Sequence, residues 1–272
     1  MTDVAILERA PALKRGSALG WMLANIGTIA WRNLIAITRI PELLFFSTLQ
    51  PIMFVLLFRY VFAGAISRPG FDYVQFMMPG IFVHTVCFGA VSTAIGLADD
   101  LHKGLIERFR ALPMSRTAVL AGRTVADVCR NVFVIVVMTV VGIAVGFRPT
   151  QGAASYTLAF LIMLFFAWAL SWGFAYVGLA APSAETAQVM AFPILFPLTF
   201  ASSCFVPVQT MPSWLQGFAS NQPVSQVADA VRYLMIGGTP PHENQVLLAI
   251  GWTLLLLVVL APISVRRFKR AI

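Results

Sequence analysis

Long apolar runs alternate with short charged segments along the chain. Six of these runs are long enough to cross a bilayer as helices, because a helical span needs about 20 residues. They cover residues 43–66, 74–98, 121–146, 156–181, 187–205 and 246–263. We therefore predict an all-α polytopic membrane protein with six transmembrane helices.

The segment 21–39 is apolar on one side only. Asn25, Thr28, Arg32 and Arg39, with Ala36 between the two arginines, recur at steps of three and four, which places them on one face of a helix. A helix with such a stripe favours the membrane interface, where the polar face meets water. The sequence therefore predicts an N-terminal interfacial amphipathic helix, with an irregular first span as the alternative.

The remaining segments complete a single transmembrane domain over residues 1–272. Residues 206–244 mix polar and apolar positions, which predicts short helices at the outer interface between the fifth and sixth spans. Residues 1–42 form the N-terminal segment, residues 43–263 the six spans and residues 264–272 a basic tail.

Composition agrees with this picture. Hydrophobic residues make up 59% of the chain and the mean hydropathy is +0.83, above the apolar usage of about 45–50% in soluble domains. The net charge of +8 raises the question of nucleic acid, but the basic residues flank apolar runs instead of forming one basic face. We expect membrane lipids around the chain and no nucleic-acid partner.

The positions of lysine and arginine predict the orientation. The N-terminal segment, the loop after the second span with the start of the third, and the tail hold fourteen of them, against three in the opposite loops. Because positively charged loops stay in the cytoplasm, both termini are predicted to lie there. An even number of spans is what this orientation requires.

The sequence encodes no recognisable means of using energy. Its three lysines, Lys14, Lys103 and Lys269, lie outside any GxxxxGK[ST] loop that binds ATP phosphates. We expect no cofactor, no catalytic residue and no metal site in this chain. His84, within the second predicted span, is predicted to be a neutral, hydrogen-bonded packing residue, with a proton relay as the alternative.

Charged residues also open the third predicted span. Arg123, Asp127 and Arg130 are spaced by four and three residues, so they share a helix face and can neutralise one another. We predict a structural ion cluster near the cytoplasmic surface; an ion-binding site is the alternative. A secondary transporter or channel is disfavoured, because such proteins usually carry unpaired ionisable residues near the midplane.

The most charged stretch of the chain is the loop 99–116, which holds seven of the thirty charged residues. It lies between two apolar runs, and each charge at the centre of a membrane helix costs about 2.5 to 3.5 kcal/mol. The loop is therefore predicted to be aqueous and cytoplasmic, where another protein can bind it.

Four short motifs follow one another in this loop: Asp99-Asp100, Lys103-Gly104, Leu105-Ile106-Glu107-Arg108 and Pro113-Met114-Ser115-Arg116. With them the loop resembles the corresponding loop of type 2 ABC exporters. The outer segment is similar too, through Met211-Pro212-Ser213-Trp214-Leu215, Asn221-Gln222-Pro223-Val224-Ser225 and Arg232, as are Gln50-Pro51 and Pro79-Gly80. Two departures are the acidic pair Asp99-Asp100, where Glu-Arg is more usual, and Arg59, where a small or neutral residue is common.

Within that family the chain is most similar to the daunorubicin-resistance-type permeases. The resemblance implies the membrane subunit of an ATP-driven exporter in a bacterial plasma membrane. It also implies a separate cytoplasmic ATPase dimer, which binds ATP and magnesium, and a second permease copy or paralogue. The substrate would be a lipophilic or amphipathic compound, such as a drug, lipid or glycolipid, taken from the cytoplasm or inner leaflet.

The resemblance also assigns roles to residues. Those implied to couple to the ATPase are Arg32, Arg39, Asp99, Asp100, Lys103, Gly104, Glu107, Arg108, Arg110, Pro113 and Arg116. The outer motif residues are Pro212, Trp214, Asn221, Pro223 and Arg232. The alternatives are a merely solvated loop, export of a polysaccharide, and a scaffold or accessory role in the membrane.

Overall fold

The computed structural model describes residues 18–39, 41–66, 72–104, 116–238, 240 and 242–271. These residues form helices and connecting turns, and no β-strand occurs among them. The α-helices are α1 Ala18–Thr38, α2 Pro41–Leu56, α3 Ala63–Ile66, α4 Tyr73–His102, α5 Arg116–Ala144, α6 Ala153–Ala180, α7 Ala184–Phe200, α8 Ser213–Asn221, α9 Pro223–Ile236 and α10 Gln245–Ala271. A π-helical turn, Leu57–Phe62, joins α2 to α3, and a 3₁₀ turn, Val208–Thr210, precedes α8.

Helix α4 lies at the centre of the fold. It packs against α2, α5, α6, α7 and α9, and Met77, Ile81 and Phe82 along it are fully buried. Its first turn is capped by Asp72, whose carboxylate accepts hydrogen bonds from the backbone N–H groups of two residues that follow it. The cap fixes where the longest buried helix begins.

The crossing of α4 and α6 depends on Gly178. A Cβ atom at this position would overlap the backbone carbonyl of Ala94. The two helix backbones therefore approach more closely than any larger residue permits, which is how small residues promote helix association in membranes. This contact holds the two most buried long helices together.

Helix α1 covers nearly the predicted segment, and among the described side chains of its polar stripe only Asn25 is buried, contrary to the prediction. Asn25 is only 7% exposed and is buried beside Ile29 on the side that packs against α5, whereas Trp21 and Trp31 are exposed. The reason is Gly122 of α5, where a Cβ would lie 2.6 Å from the Ile29 Cβ. Close helix packing thus overrides the hydrophobic periodicity of an isolated helix.

The predicted first span is helical over residues 41–66, with a change in helix type. Pro51 lies within α2, and the π-helical turn follows at Leu57–Phe62. Arg59 lies in that turn, with its guanidinium 5.8 Å from the centre of the Tyr60 ring. Insertions of this type are frequent at functional sites in helices.

The predicted fifth span is helical only as far as Phe200, where α7 ends, and residues 201–205 form turns. The amide of Gln222 donates hydrogen bonds to the carbonyls of Leu198, at 2.8 Å, and Ala201, at 3.3 Å. Carbonyls at a helix end need such partners. A side chain from a distant segment therefore satisfies the carbonyls at the end of this helix.

The segment between α7 and α10 is more buried than predicted for helices at an interface. Val227, Ala228 and Val231 of α9 are fully buried, and α9 packs against α4, α6 and α10. The following helix, α10, continues through the predicted tail to Ala271, and Phe268 near its end is 1% exposed.

Four of the described helices are long and apolar enough to cross a membrane: Tyr73–His102, Ala118–Ala144, Ala153–Ala180 and Gln245–Arg270. They match the second, third, fourth and sixth predicted spans. The described helices Ser47–Phe62 and Ala184–Phe200, at the first and fifth predicted spans, are apolar but shorter. The all-helical membrane class is confirmed; the count of six stays a prediction.

Replacing Gly178 by alanine is expected to destabilise the protein by about 1–3 kcal/mol, the usual effect of overpacking. The added methyl overlaps the α4 backbone, which cannot move away as a flexible side chain does. The thermal unfolding midpoint of the purified protein in detergent measures this. The matched control is Gly251→Ala in α10, where a Cβ meets nothing within 4 Å; equal midpoints for the two variants would contradict the prediction.

Candidate functional site

Three helices meet at the carboxylate of Asp100, near the end of α4. The Nη1 atom of Arg123 in α5 lies 2.8 Å from its Oδ2 atom, and the Nη2 atom of Arg32 in α1 lies 3.6 Å from the same oxygen. Gly96 makes room for Arg123, since a Cβ there would overlap its guanidinium. We call Arg32, Asp100 and Arg123 the Asp100 cluster; it connects α1, α4 and α5.

The Asp100 cluster balances two positive charges with one negative charge. Burial lowers the pKa of the Arg32 guanidinium, Asp100 raises it, and the positive charge of Arg123 lowers it. The side chains of Arg123 and Asp100 are 18% and 21% exposed, so the Arg123–Asp100 pair is only partly screened by water. Without the Asp100 carboxylate, the positive charges of Arg32 and Arg123 would repel each other with no negative charge between them.

The end of α4 explains the Lys103-Gly104 motif. Gly104 adopts a left-handed conformation, with φ of 64°, and its N–H donates to the carbonyl of Leu101 at 3.0 Å. Glycine adopts this conformation at little cost, so it commonly ends helices. Lys103 contacts Asp99 at 2.7 Å, and this hydrogen bond raises the pKa of the exposed Lys103 ammonium.

The remaining residues predicted to couple to the ATPase lie away from the Asp100 cluster or outside the described part of the chain. Glu107, Arg108, Arg110 and Pro113 lie outside the described residues, as does the side chain of Arg116. Arg39 follows the end of α1 and is exposed.

The predicted ion cluster of α5 divides between two partners. Asp127, which is 3% exposed, lies 3.8 Å from Arg130 and accepts a 2.5 Å hydrogen bond from Thr93 of α4. Arg123 instead pairs with Asp100 across the α4–α5 contact. The charges of α5 therefore tie this helix to α4 at two levels.

Arg232 of the outer motif holds three segments together. Its guanidinium donates to the carbonyl of Phe76 at 3.1 Å and to that of Ser203 at 2.7 Å, and it pairs with Asp229. The guanidinium carbon also lies 3.9 Å from the centre of the Phe76 ring. Arginine alone offers enough donors in a fixed planar geometry for this set of contacts.

The other outer motif residues shape helix ends. Pro212 immediately precedes α8, and Pro223 is the first residue of α9, the position that proline favours. Asn221 ends α8, and its side-chain amide donates to the carbonyl of Gly217 at 2.9 Å. Trp214 is 79% exposed, which suits an aromatic side chain at a membrane surface.

His84 packs as predicted, but it lacks the predicted hydrogen bond within the described part of the chain. The side chain is 1% exposed, and neither ring nitrogen has a hydrogen-bond partner among the described residues. Its ring centre lies 4.3 Å from that of Phe88 and 4.9 Å from that of Phe54.

Sequence reasoning missed the partners of the charged residues. Asp229 and Ser203 complete the Arg232 contacts, and Thr93 completes those of Asp127. Asp229 lies three residues before Arg232, which is a usable signal on a helix. Ser203 and Thr93 carry no such signal, because they are distant in sequence.

Fold and site thus define a class: a polytopic helical membrane protein with paired charges at the end of its central helix. The ABC-2 type transporter family model matches residues 24–236, most of the chain. The chain is 34% identical over 242 residues to the daunorubicin resistance ABC transporter permease protein DrrB1 of Streptomyces coeruleorubidus, covering 89% of this chain and 85% of the relative. It belongs to the ABC-2 type transporter family.

A second relative is more distant. The doxorubicin resistance ABC transporter permease protein DrrB of Mycobacterium tuberculosis is 28% identical over 205 residues, covering 72% of this chain and 70% of the relative. The resemblance seen in the loop 99–116 is therefore confirmed at the level of the family, and both relatives are named as permeases of drug-resistance transporters.

Replacing Asp100 by asparagine is expected to lower stability by about 1–3 kcal/mol, the cost of removing the charged partner of the partly buried Arg123. The asparagine keeps the shape but leaves Arg32 and Arg123 facing each other. Thermal unfolding at low and high salt measures the change, and salt should reduce it. The control is Asp99→Asn, whose lysine partner is 70% exposed; a loss as large as that of Asp100→Asn would contradict the prediction.

Replacing Arg232 by lysine is expected to cost at least about 2 kcal/mol, although the charge is kept. A lysine cannot donate to both the Phe76 and Ser203 carbonyls while pairing with Asp229. The thermal midpoint in detergent measures the effect, with the exposed Arg267→Lys of α10 as the control. Native stability of Arg232→Lys would mean that charge alone holds the outer segments.

Proposed function

We propose that this chain is the permease subunit of an ATP-driven exporter that moves a lipophilic or amphipathic compound out of the cytoplasm or inner leaflet. The observation that carries the proposal is the Asp100 cluster. It joins α1, α4 and α5 at the start of the charged loop 99–116. A force applied to that loop or to α1 reaches the central helix through these charge pairs.

The proposed mechanism separates energy use from transport. A cytoplasmic ATPase dimer, which binds ATP and magnesium, docks on the loop 99–116 and on α1. Its closure on ATP favours one arrangement of the helices, and its opening favours the other. A nucleotide bound elsewhere thereby shifts the population of two states, provided that the docking contacts differ between them.

The proposed topology has six spans with both termini in a bacterial cytoplasm. Helices α2 and α7 supply the first and fifth spans together with the residues that follow them. The helical stretch 41–66 is long enough at about 1.5 Å per residue, and α7 of 17 residues is a short span completed by the turn after it. Helix α1 lies in the cytoplasmic interface with Trp21 and Trp31 toward the lipid.

A second permease, either a copy or a paralogue, completes the transporter. Support comes from the exposed apolar side chains on α5 and α7, which include Phe133, Val140, Val189 and Phe196. Such faces contact lipid or another permease. The drug class is proposed from the names of the relatives, of which one is called a daunorubicin resistance permease and another a doxorubicin resistance permease.

The deciding experiment is co-reconstitution. The chain is purified from its native host together with the ATPase that accompanies it, and daunorubicin uptake into inside-out vesicles is followed with and without ATP. ATP-dependent uptake by the pair, with no ATP binding by the chain alone, is the expected result. Uptake driven by a proton gradient without the ATPase would instead identify a secondary transporter.

Charge reversal in the loop tests the docking role. Glu107→Lys combined with Arg108→Glu is expected to reduce ATP-dependent uptake at least tenfold, equivalent to about 1.4 kcal/mol of lost contact, while the permease remains folded in the membrane. Lys269→Glu in the tail is the matched cytoplasmic control. If the loop variant transports and copurifies with its ATPase at the native level, the docking role is wrong.

A further inference from the structure

A cavity of about 130 Å³ lies between α2, α4 and α5. His84 and Phe88 line it from α4, Gln50 and Phe54 from α2, and Arg130 and Asn131 from α5. His84 is about 16 Å from the start of α4, at about 1.5 Å per residue. The cavity therefore lies well inside the membrane-spanning part of the helix.

Two buried side chains on the cavity carry nitrogen atoms without a hydrogen-bond partner in the described part of the chain. Asn131 is 2% exposed, and its side-chain nitrogen has no hydrogen-bond partner there; the same holds for both ring nitrogens of His84. Unpaired polar groups at such burial are rare and costly in folded proteins. Both side chains line one cavity, so a molecule bound there is a candidate partner for these groups.

The other walls of the cavity are aromatic. The Phe54 and Phe88 rings flank His84, with ring centres 4.9 Å and 4.3 Å away. Phe200 and Phe205 continue the cluster, at 5.7 Å and 5.0 Å from the same ring. Faces and edges of this kind favour a planar aromatic guest.

The polar groups around the cavity favour a guest that carries oxygen atoms able to accept hydrogen bonds. Arg130 lines it and donates to the carbonyl of Gly89 at 2.5 Å and to the hydroxyl of Ser92. Its partner Asp127 is 3.8 Å away and does not line the cavity, and no carboxylate is among the described lining residues. Donors from Asn131 and Arg130 thus predominate, and a cationic guest would meet a like charge.

We propose that this cavity binds one aromatic ring bearing carbonyl or hydroxyl oxygens, with Asn131 donating to an oxygen and His84 and the phenylalanines packing against the ring. The cavity, at about 130 Å³, is close in volume to the apolar protein cavity of about 150 Å³ that holds benzene, so it accommodates a single ring. The cavity is a binding site within one permease chain for part of the transported molecule. This last step rests on the proposed export function.

Photolabelling of the full chain in lipid nanodiscs tests the site. The probe is 4-azidophenol, a single ring with one hydroxyl, compared with phenyl azide, which lacks the hydroxyl, and labelled residues are located by mass spectrometry. We expect saturable labelling on α2, α4 and α5 around the cavity, with a half-saturating concentration about tenfold lower for the hydroxylated probe, the effect of one hydrogen bond.

Two variants test whether the named side chains bind the probe. Asn131→Leu is expected to raise the half-saturating concentration of 4-azidophenol about five- to tenfold without lowering the thermal midpoint, since it removes an amide nitrogen with no partner among the described residues. His84→Phe keeps the aromatic wall and removes both nitrogens. The matched control is Asn25→Leu, whose buried side-chain nitrogen also has no partner among the described residues but lies away from the cavity; its labelling should equal that of the native chain.

The outcomes separate the site from the export function. Labelling that is unsaturable, spread over the lipid-facing helices or unchanged in Asn131→Leu overturns the site, and water then fills the cavity. Cavity labelling in a chain that shows no ATP-driven daunorubicin uptake keeps the site and overturns the exporter. Native uptake by an Asn131→Leu variant that has lost labelling overturns the role of the cavity in transport.

Discussion

Buried charge that must find a partner inside the protein is the constraint on which this structure depends. Hydrocarbon offers no hydrogen bonds, so an ionised side chain within a membrane protein pairs with another or becomes very costly. Asp127 and Arg130 pair with each other, as do Asp229 and Arg232. Each pair also bonds to α4 or to a segment beside it, so neutralising the charges fixes the positions of the helices.

Helix α4 receives these contacts along its whole length. Arg232 bonds to the carbonyl of Phe76 near one end, Asp127 bonds to Thr93 farther along, and Asp100 receives two arginines at the other end. The helix is long, continuous and closely packed against α6 at Gly178. A displacement at the Asp100 end would therefore move α4 as a rigid element, the kind of element that conformational switches use.

The central cavity contrasts with this pairing. Asp100, Asp127 and Asp229 each pair with an arginine, yet His84 and Asn131 line one cavity with nitrogens that have no partner among the described residues. Ligand-binding sites are commonly less stable than the rest of a protein. Residues at such sites often break the local rules of folding, such as the pairing of buried polar groups. The cavity lies on α4 between Thr93 and Phe76, so motion of that helix changes its shape.

The predictable parts of the fold and site depend on local pattern. Apolar length placed α4, α5, α6 and α10 within a few residues, except at the extended end of α10, because a span must match the bilayer thickness. The motif in the loop 99–116 indicated the family, and Asp100 is among the residues that it predicts to couple to the ATPase. The packing of His84 among apolar side chains was predicted from its neighbours in the sequence, whereas its lack of a hydrogen-bond partner among the described residues was not.

What the sequence determined by itself is the membrane class, the main helices and the family, since length, hydropathy and short motifs are properties of neighbouring residues. Only the tertiary structure decided which charges pair, which face of α1 is buried and where α7 ends. Arg123 pairs with Asp100 and not with Asp127, Asn25 turns inward against α5, and Gln222 bonds the end of α7 from another segment. These outcomes depend on contacts between residues far apart in the chain, and helix periodicity carries no information about them.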